Sequence, residues 1–405
     1  MEEEGRIRRR ADSATVVGEE MVLYRPSGEI ARIALVVDRL DDDGLRTPLV
    51  EDVLTAFPHA ELHVAEDLRA DPAPLAGRTP TVWTSRAPAK RGLFRRRHVD
   101  PTPTPAPGDH DVVLRIGDRR SRGFTAAPEA LDLTYILDLD GGDEAGAALG
   151  ASLRDRCAMQ AADRVWCGTR RLLATLRRRW KVEAELLYPP AALHGAHVVD
   201  HPRRLVVAAA DGVSPAWNAR LDTLARWRRD LSIVKHGAPA RAGRGERRAR
   251  VEPATPARFA ALLPHALAVV LPPGEGFDPR AIWAAEAGVP VVTPINGAGA
   301  ELVDGLEHGA PTGVLMEEAT DTALADAVGF VERHPALFTP ARLRRHAERW
   351  RHDRFRNTLK SLVLNAWCAH LAERGDPEEE AASPADIDAS ARRAPVRAAA
   401  ALTPP

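Results

Sequence analysis

Pro272-Pro273-Gly274-Glu275-Gly276-Phe277-Asp278-Pro279, followed by Ala284-Ala285-Glu286-Ala287-Gly288-Val289-Pro290-Val291-Val292-Thr293, is the stretch whose reading decides the fold. The first segment has the proline and glycine content of a loop, the alanine-rich run predicts a short helix, and positions 289–293 predict a strand covered on both faces. Loop, helix and buried strand in that order are the repeating unit of a parallel α/β sheet. Working outward, apolar runs at 205–210, 231–234 and 267–271 alternate with helical patterns at 216–229 and 256–263, and helices are expected at 322–334 and 340–371. The first half repeats the scheme: strands at 33–37, 60–64, 111–116, 133–137 and 164–167, helices at 47–57 and 169–180, and a closing strand within 183–190 that runs into Pro189-Pro190.

Composition agrees with two packed units. A chain of 405 residues exceeds what one hydrophobic core usually organises, and 44% hydrophobic against 28% charged residues excludes disorder throughout. The expected division is a structureless segment 1–29, an α/β domain 30–192, a second α/β domain 193–374, and a disordered tail 375–405 rich in Ala, Pro, Glu and Ser. With 56 Lys and Arg against 57 Asp and Glu, the net charge of -1 gives no electrostatic case for nucleic acid as a partner. Cys157, Cys167 and Cys368 are too scattered for a disulfide framework or zinc site, and no apolar run reaches the roughly 20 residues that span a bilayer. A cytoplasmic protein is expected. Asp41-Asp42-Asp43 reads as solvated, and neither a metal nor a cofactor is expected.

Glu275-Gly276-Phe277, Ala287-Gly288-Val289-Pro290-Val291-Val292, Glu301-Leu302-Val303, Gly313-Val314-Leu315 and the run 323–328 resemble, in order and spacing, the donor half of family-4 retaining glycosyltransferases of GT-B architecture. The segments 162–170, 182–190 and 338–350 resemble the same family, nearest to bacterial mannosyltransferases of polysaccharide assembly. The resemblance covers about residues 30 to 370, and is strong in the second half and thin in the first. It implies two Rossmann-like doubly wound domains facing a cleft, with a nucleotide sugar as donor substrate and a saccharide or lipid-linked acceptor.

It also implies roles for particular residues. Glu275 matches the first acid of the family's Glu-x7-Glu pattern, which contacts the donor sugar near the reacting carbon; the loop acid could instead cap the following helix. Gly276 and Phe277 accompany it. The second acid, which holds the ribose, is replaced by Trp283, whose indole offers one donor and a stacking face, and Glu286 lies a turn further on. The turn containing Gly297, Gly299 and Glu301 resembles the family's diphosphate-binding loop, where small residues let backbone N–H groups approach the phosphates. An Arg and a Lys that offset the leaving group are absent, which leaves Arg220, Lys235 and His236 as the cations nearby. In the first domain a single Gly44 stands for the family's Gly-Gly pair, and Asp138 or Asp140 for its acceptor-side His.

Two readings follow. One is a hexosyltransferase acting in polysaccharide biosynthesis, with mannose the hexose that the nearest resemblance implies; the basic run Arg91 to His98 reads as a solvated loop, the alternative being a contact with anionic headgroups at the inner membrane surface. The other is a catalytically degenerate protein of the same fold that partners an active glycosyltransferase or binds a glycan. An α/β binding protein unrelated to sugar nucleotides would require the second-half match to be accidental.

Overall fold

The computed structural model describes residues 14–17, 19–37, 46–64, 81–82, 110–117, 124, 126–137, 159–191, 204–210, 214–237, 250–252, 255–273 and 277–374. Strands β3 (Ile33–Val37), β4 (Glu61–Val64), β5 (Thr81–Val82), β6 (Val112–Ile116), β7 (Leu131–Ile136), β8 (Arg164–Cys167) and β9 (Glu185–Leu186) form a seven-stranded sheet in the order β5-β4-β3-β6-β7-β8-β9. All its pairings are parallel. Strands β10 (Leu205–Ala209), β11 (Ser232–His236), β12 (Arg250–Glu252), β13 (Ala266–Val270), β14 (Val291–Pro294) and β15 (Gly313–Met316) form a second, six-stranded parallel sheet, β12-β11-β10-β13-β14-β15. Parallel strands need cover on both faces, and the near-continuous burial of β3, β6, β10 and β13 follows from it. The two doubly wound domains expected from the sequence are therefore present.

The helices are α1 (Arg46–Ala56), α2 (Arg170–Thr175), α3 (Pro215–Trp227), α4 (Pro256–Leu262), α5 (Pro279–Ala287), α6 (Asp321–Arg333), α7 (Pro340–Ala347) and α8 (His352–Glu373). Their starts are written in the sequence: Thr169, Ser214, Thr255, Asp278 and Thr320 each accept a hydrogen bond at an N-cap, and proline follows at α3, α4 and α5. Gly288 ends α5 in the left-handed region, φ 89°. A Cβ there would lie 2.8 Å from Cβ of Pro340 on α7, so the position needs glycine for conformation and for close packing.

Three expectations need correction. The segment 1–29 contains an antiparallel hairpin, β1 (Ala14–Val17) and β2 (Glu20–Leu23), whose Met21 and Leu23 are buried in the first core. The helical pattern 340–371 breaks at a 3-10 turn, Glu348–Trp350, followed by extended Arg351. Beyond the break α8 leaves the second domain: Phe355, Leu359, Val363, Ala366 and Trp367 pack with α1 into the core of the first sheet. The third is the run 169–180, where α2 gives way at Leu176 to a π-helical turn, Leu176–Trp180. Arg91 to His98 and the tail beyond 374 lie outside the described residues.

The chain thus passes between domains twice, and the crossings touch. The amide of Ala191 on the outward path donates to the carbonyl of Trp350 on the return, 3.0 Å. On α1, Asp52 bonds His352 Nδ1 at 2.5 Å and Arg356 at 2.6 Å, which fixes the start of α8. At its far end, Trp367 Nε1 donates to the carbonyl of Tyr24, 3.1 Å. Trp367→Ala removes a buried indole from the first domain and is expected to cost about 3–5 kcal/mol, read as a lower urea midpoint for the transition that exposes Tyr135 and Trp166. An unchanged midpoint would show that α8 does not complete this core.

Candidate functional site

In the second sheet the chain runs β10, β11, β12 to one side, then returns to β13 beside β10 and continues through β14 and β15 to the other. This reversal opens a crevice at the carboxyl ends of β10 and β13, the place where ligands bind sheets of this type. The loop that carries Glu275 leaves β13 at that point, and the turn that carries Gly297 and Gly299 leaves the adjacent strand β14. Glu275 and Gly276 lie outside the described residues, as do Asp138, Asp140 and Gly44.

The flanks of the loop are described. Asp278 caps α5: its Oδ1 accepts from the Arg280 amide at 3.0 Å, and its carboxylate pairs with the Arg280 guanidinium at 2.9 Å. The residue that caps α5 is thus Asp278. Phe277 is 6% exposed and packs in the second core, so it anchors the loop.

After β14, Ile295 and Asn296 are exposed, and Gly297 precedes a 3-10 turn, Ala298–Leu302. The Gly297 amide is already used, donating to Pro294 at 3.1 Å. The amides that open the 3-10 turn, those of Ala298 and Gly299, have no partner within it. Gly299 also fits closely against the strand, since a Cβ there would lie 3.0 Å from Oγ1 of Thr293 and 3.4 Å from Leu271. Its small size serves packing as well as any ligand.

Glu301 does something the sequence did not foretell. Its side chain crosses to the first domain, where both carboxylate oxygens accept from the Arg170 amide, at 2.9 and 3.0 Å, and the Arg171 amide donates as well. These amides open α2, whose N-cap Thr169 follows the carboxyl end of β8, so a carboxylate there meets the positive end of the helix. Burial raises the Glu301 carboxyl above its usual 4.5, against the lowering effect of the two amides. Around it, burial pushes Tyr188 up to about 12, with Glu301 adding to the shift, and Cys167 likewise up to about 12, which leaves that thiol unreactive. Tyr188 packs edge-on against Trp350 at the crossing, ring centroids 6.2 Å apart. His346 of α7 contacts the Leu302 carbonyl at 2.8 Å and Asp304 at 3.0 Å, so the segment after the turn is held from behind.

The remaining candidates are committed elsewhere. Lys235 is 6% exposed; its Nζ lies 2.7 Å from Asp222 and donates to the Asn218 carbonyl at 3.1 Å, both on α3. Arg220 lies 3.9 Å from Asp321 at the start of α6. His236 is buried, with Nε2 3.1 Å from the Thr255 carbonyl and its ring against Phe259. Trp283 is 4% exposed and packs on Phe259 at 5.8 Å, in the core and not as a stacking surface in the crevice. Glu286 lies at the far end of α5, in a groove of about 850 Å³ lined also by Asp52, Arg344, His352 and Arg356 on the hinge side. Trp283 follows its helical periodicity inward; one turn on, Glu286 faces the groove.

Glu301→Ala leaves the Arg170 amide without its acceptor and is expected to destabilise the protein by about 1–3 kcal/mol in urea unfolding, with Glu301→Gln losing less. The folded state holds the Glu301 proton more tightly than the unfolded chain, so this residue's contribution is greatest below 4.5 and declines as pH rises through its raised folded value. That component is absent from Glu301→Gln.

No family model and no curated protein sequence matches the chain. Solved structures do. A sucrose-phosphate synthase from Thermosynechococcus elongatus superposes with a TM-score of 0.61 at 15% identity, covering 84% of this chain and 100% of that one. HepE from Anabaena, solved in complex with UDP and glucose, gives 0.60 at 13% identity over 82% and 99%. A glycosyltransferase from Rickettsia africae gives 0.59 at 10% identity over 83% and 98%. These likenesses, spanning both domains, show that the chain has the two-domain GT-B fold of these glycosyltransferases.

Proposed function

We propose that this protein is a glycosyltransferase that moves a hexose from a nucleotide-sugar donor, held by the second domain, to a saccharide or lipid-linked acceptor approaching from the first. The observation that carries the reading is the strand order: β13 and β14 are neighbours beside the reversal, so the segments that follow them in the chain, which include Glu275 and the glycine turn, leave the same end of the sheet. The N-cap of α5 is Asp278. In this reading Glu275 positions the donor sugar, and the amides opening the 3-10 turn receive the diphosphate. UDP is the nucleotide to try first, because HepE, of the same fold, was solved with UDP-glucose. Mannose as the hexose and polysaccharide as the product rest on the sequence resemblance.

A second reading draws on the committed cations. Lys235 and Arg220 both face acids, and Trp283 is buried where the family places a ribose-binding acid. A degenerate member that partners an active transferase would tolerate all three changes, because it need not stabilise a departing diphosphate.

Thermal unfolding with a panel of UDP-, GDP- and TDP-sugars separates the two. A donor present at a hundredfold its dissociation constant adds about 2.7 kcal/mol of stability, and GDP-mannose as the best ligand would support mannosyl transfer. Absence of any shift across the panel contradicts the transferase reading. With a responding donor, Glu275→Ala is expected to lower transfer about 100-fold or more while the melting temperature without ligand stays unchanged; retained turnover would remove Glu275 from the role.

A further inference from the structure

A second polar cluster lies at the opposite end of the first sheet. Glu61 opens β4, His63 follows two positions later on the same face, and His110 immediately precedes the segment that enters β6. Glu61 and His110 stand at amino-terminal strand ends, and His63 is the third residue of β4. Glu61 and His63 pair in register with Ala34 and Val36 of β3, whose small side chains leave room on this face, and Phe124 closes over it. The Phe124 ring lies 5.0 Å from that of His63 and 6.0 Å from that of His110.

The three residues are arranged as ligands are. Each offers one donor atom within 4.8 Å of the other two. Glu61 Oε2 lies 3.2 Å from His110 Nε2 and 3.8 Å from His63 Nε2. In a tetrahedral site with metal–nitrogen distances of about 2.0–2.1 Å, neighbouring ligand atoms are separated by roughly 3.3 Å, so little movement is needed. The imidazoles stand at right angles, 87° between planes, with centroids 5.4 Å apart.

A separate observation points the same way. His63 is 6% exposed, and neither of its ring nitrogens has a hydrogen-bond partner; His110 is equally buried, with Nδ1 unpartnered. An orphaned buried polar group costs about 1–3 kcal/mol, and an ion would engage one such nitrogen directly. Arg32 donates to Glu61 Oε1 at 3.1 Å, which orients the carboxylate and leaves Oε2 turned to the imidazoles. Glu61 is about half exposed, 47% for its side chain, so an ion can enter from solvent.

We propose that Glu61, His63 and His110 form a site for a single first-row divalent transition ion, with zinc best matched to two imidazoles and one carboxylate. The ion clips β4 to the entry of β6 across the intervening strand β3 and keeps a coordination position open toward solvent. Its role is to hold the far end of the acceptor-side sheet, and it takes no part in transfer chemistry at the crevice.

The test uses full-length, tag-free protein stripped with chelator and dialysed, then titrated with Zn²⁺ by calorimetry and with Co²⁺ by visible absorption. One ion per chain is expected, with cobalt ligand-field bands of a nitrogen- and oxygen-ligated centre and a higher melting temperature once loaded. His63→Gln and His110→Gln are each expected to weaken binding about tenfold or more. X-ray absorption of the zinc-loaded wild type needs no variant and is expected to show imidazole scattering, which keeps the test decisive should a variant fail to fold. Absence of saturable binding, binding unaltered in a folded double variant, or a sulfur-ligated spectrum lost on alkylating the cysteines would each overturn the proposal.

Discussion

The structure turns on the place where the chain crosses between its domains twice. The Ala191 amide and the Trp350 carbonyl join the outward and return paths, and beyond them α8 supplies Phe355, Leu359, Val363, Ala366 and Trp367 to the first core. A parallel sheet cannot leave one face to water, and α1 alone does not cover the face that Tyr135, Leu133 and Leu114 present. The end of the chain therefore completes its beginning. The core of the first domain thus includes residues that follow the second domain in the chain.

The same geometry sets the character of the cleft. Both sheets turn carboxyl ends toward it, and Glu301 reaches from the second domain to the amides opening α2 in the first. A carboxylate at that place occupies the helix end that would otherwise attract a phosphate. With Lys235 paired to Asp222 and Arg220 to Asp321, these charged groups are engaged within the protein. A donor diphosphate must then find its partners among the amides of the glycine turn, or draw Arg220, a third exposed, away from a weak pairing at 3.9 Å.

Much of the fold was legible because its signals are local. Continuous apolar runs gave β3, β6, β10 and β13 nearly to the residue. What was not legible depends on long-range packing. The pattern across 340–371 is helical throughout, and only the need to cross between domains explains the break at 348–351. Short edge strands such as β5, β12 and β15, and the N-terminal hairpin, draw their order from neighbours and carry too few residues to declare a period. At the site, Glu301 was singled out for its place in a glycine turn, yet its task lies across the cleft, which no spacing encodes. His63 and His110 are 47 positions apart and are brought together only because β3 separates β4 from β6 in the sheet.

The central claim is that a nucleotide sugar binds in the second domain at the strand-order reversal. Photolabelling with an azido-uridine analogue of UDP-glucose, followed by peptide mapping, tests it most directly. The account predicts label within residues 204–318, from the loops leaving β10, β11, β13 and β14, and its loss when UDP-glucose competes. Label confined to the first domain, or undiminished by competitor, would contradict it.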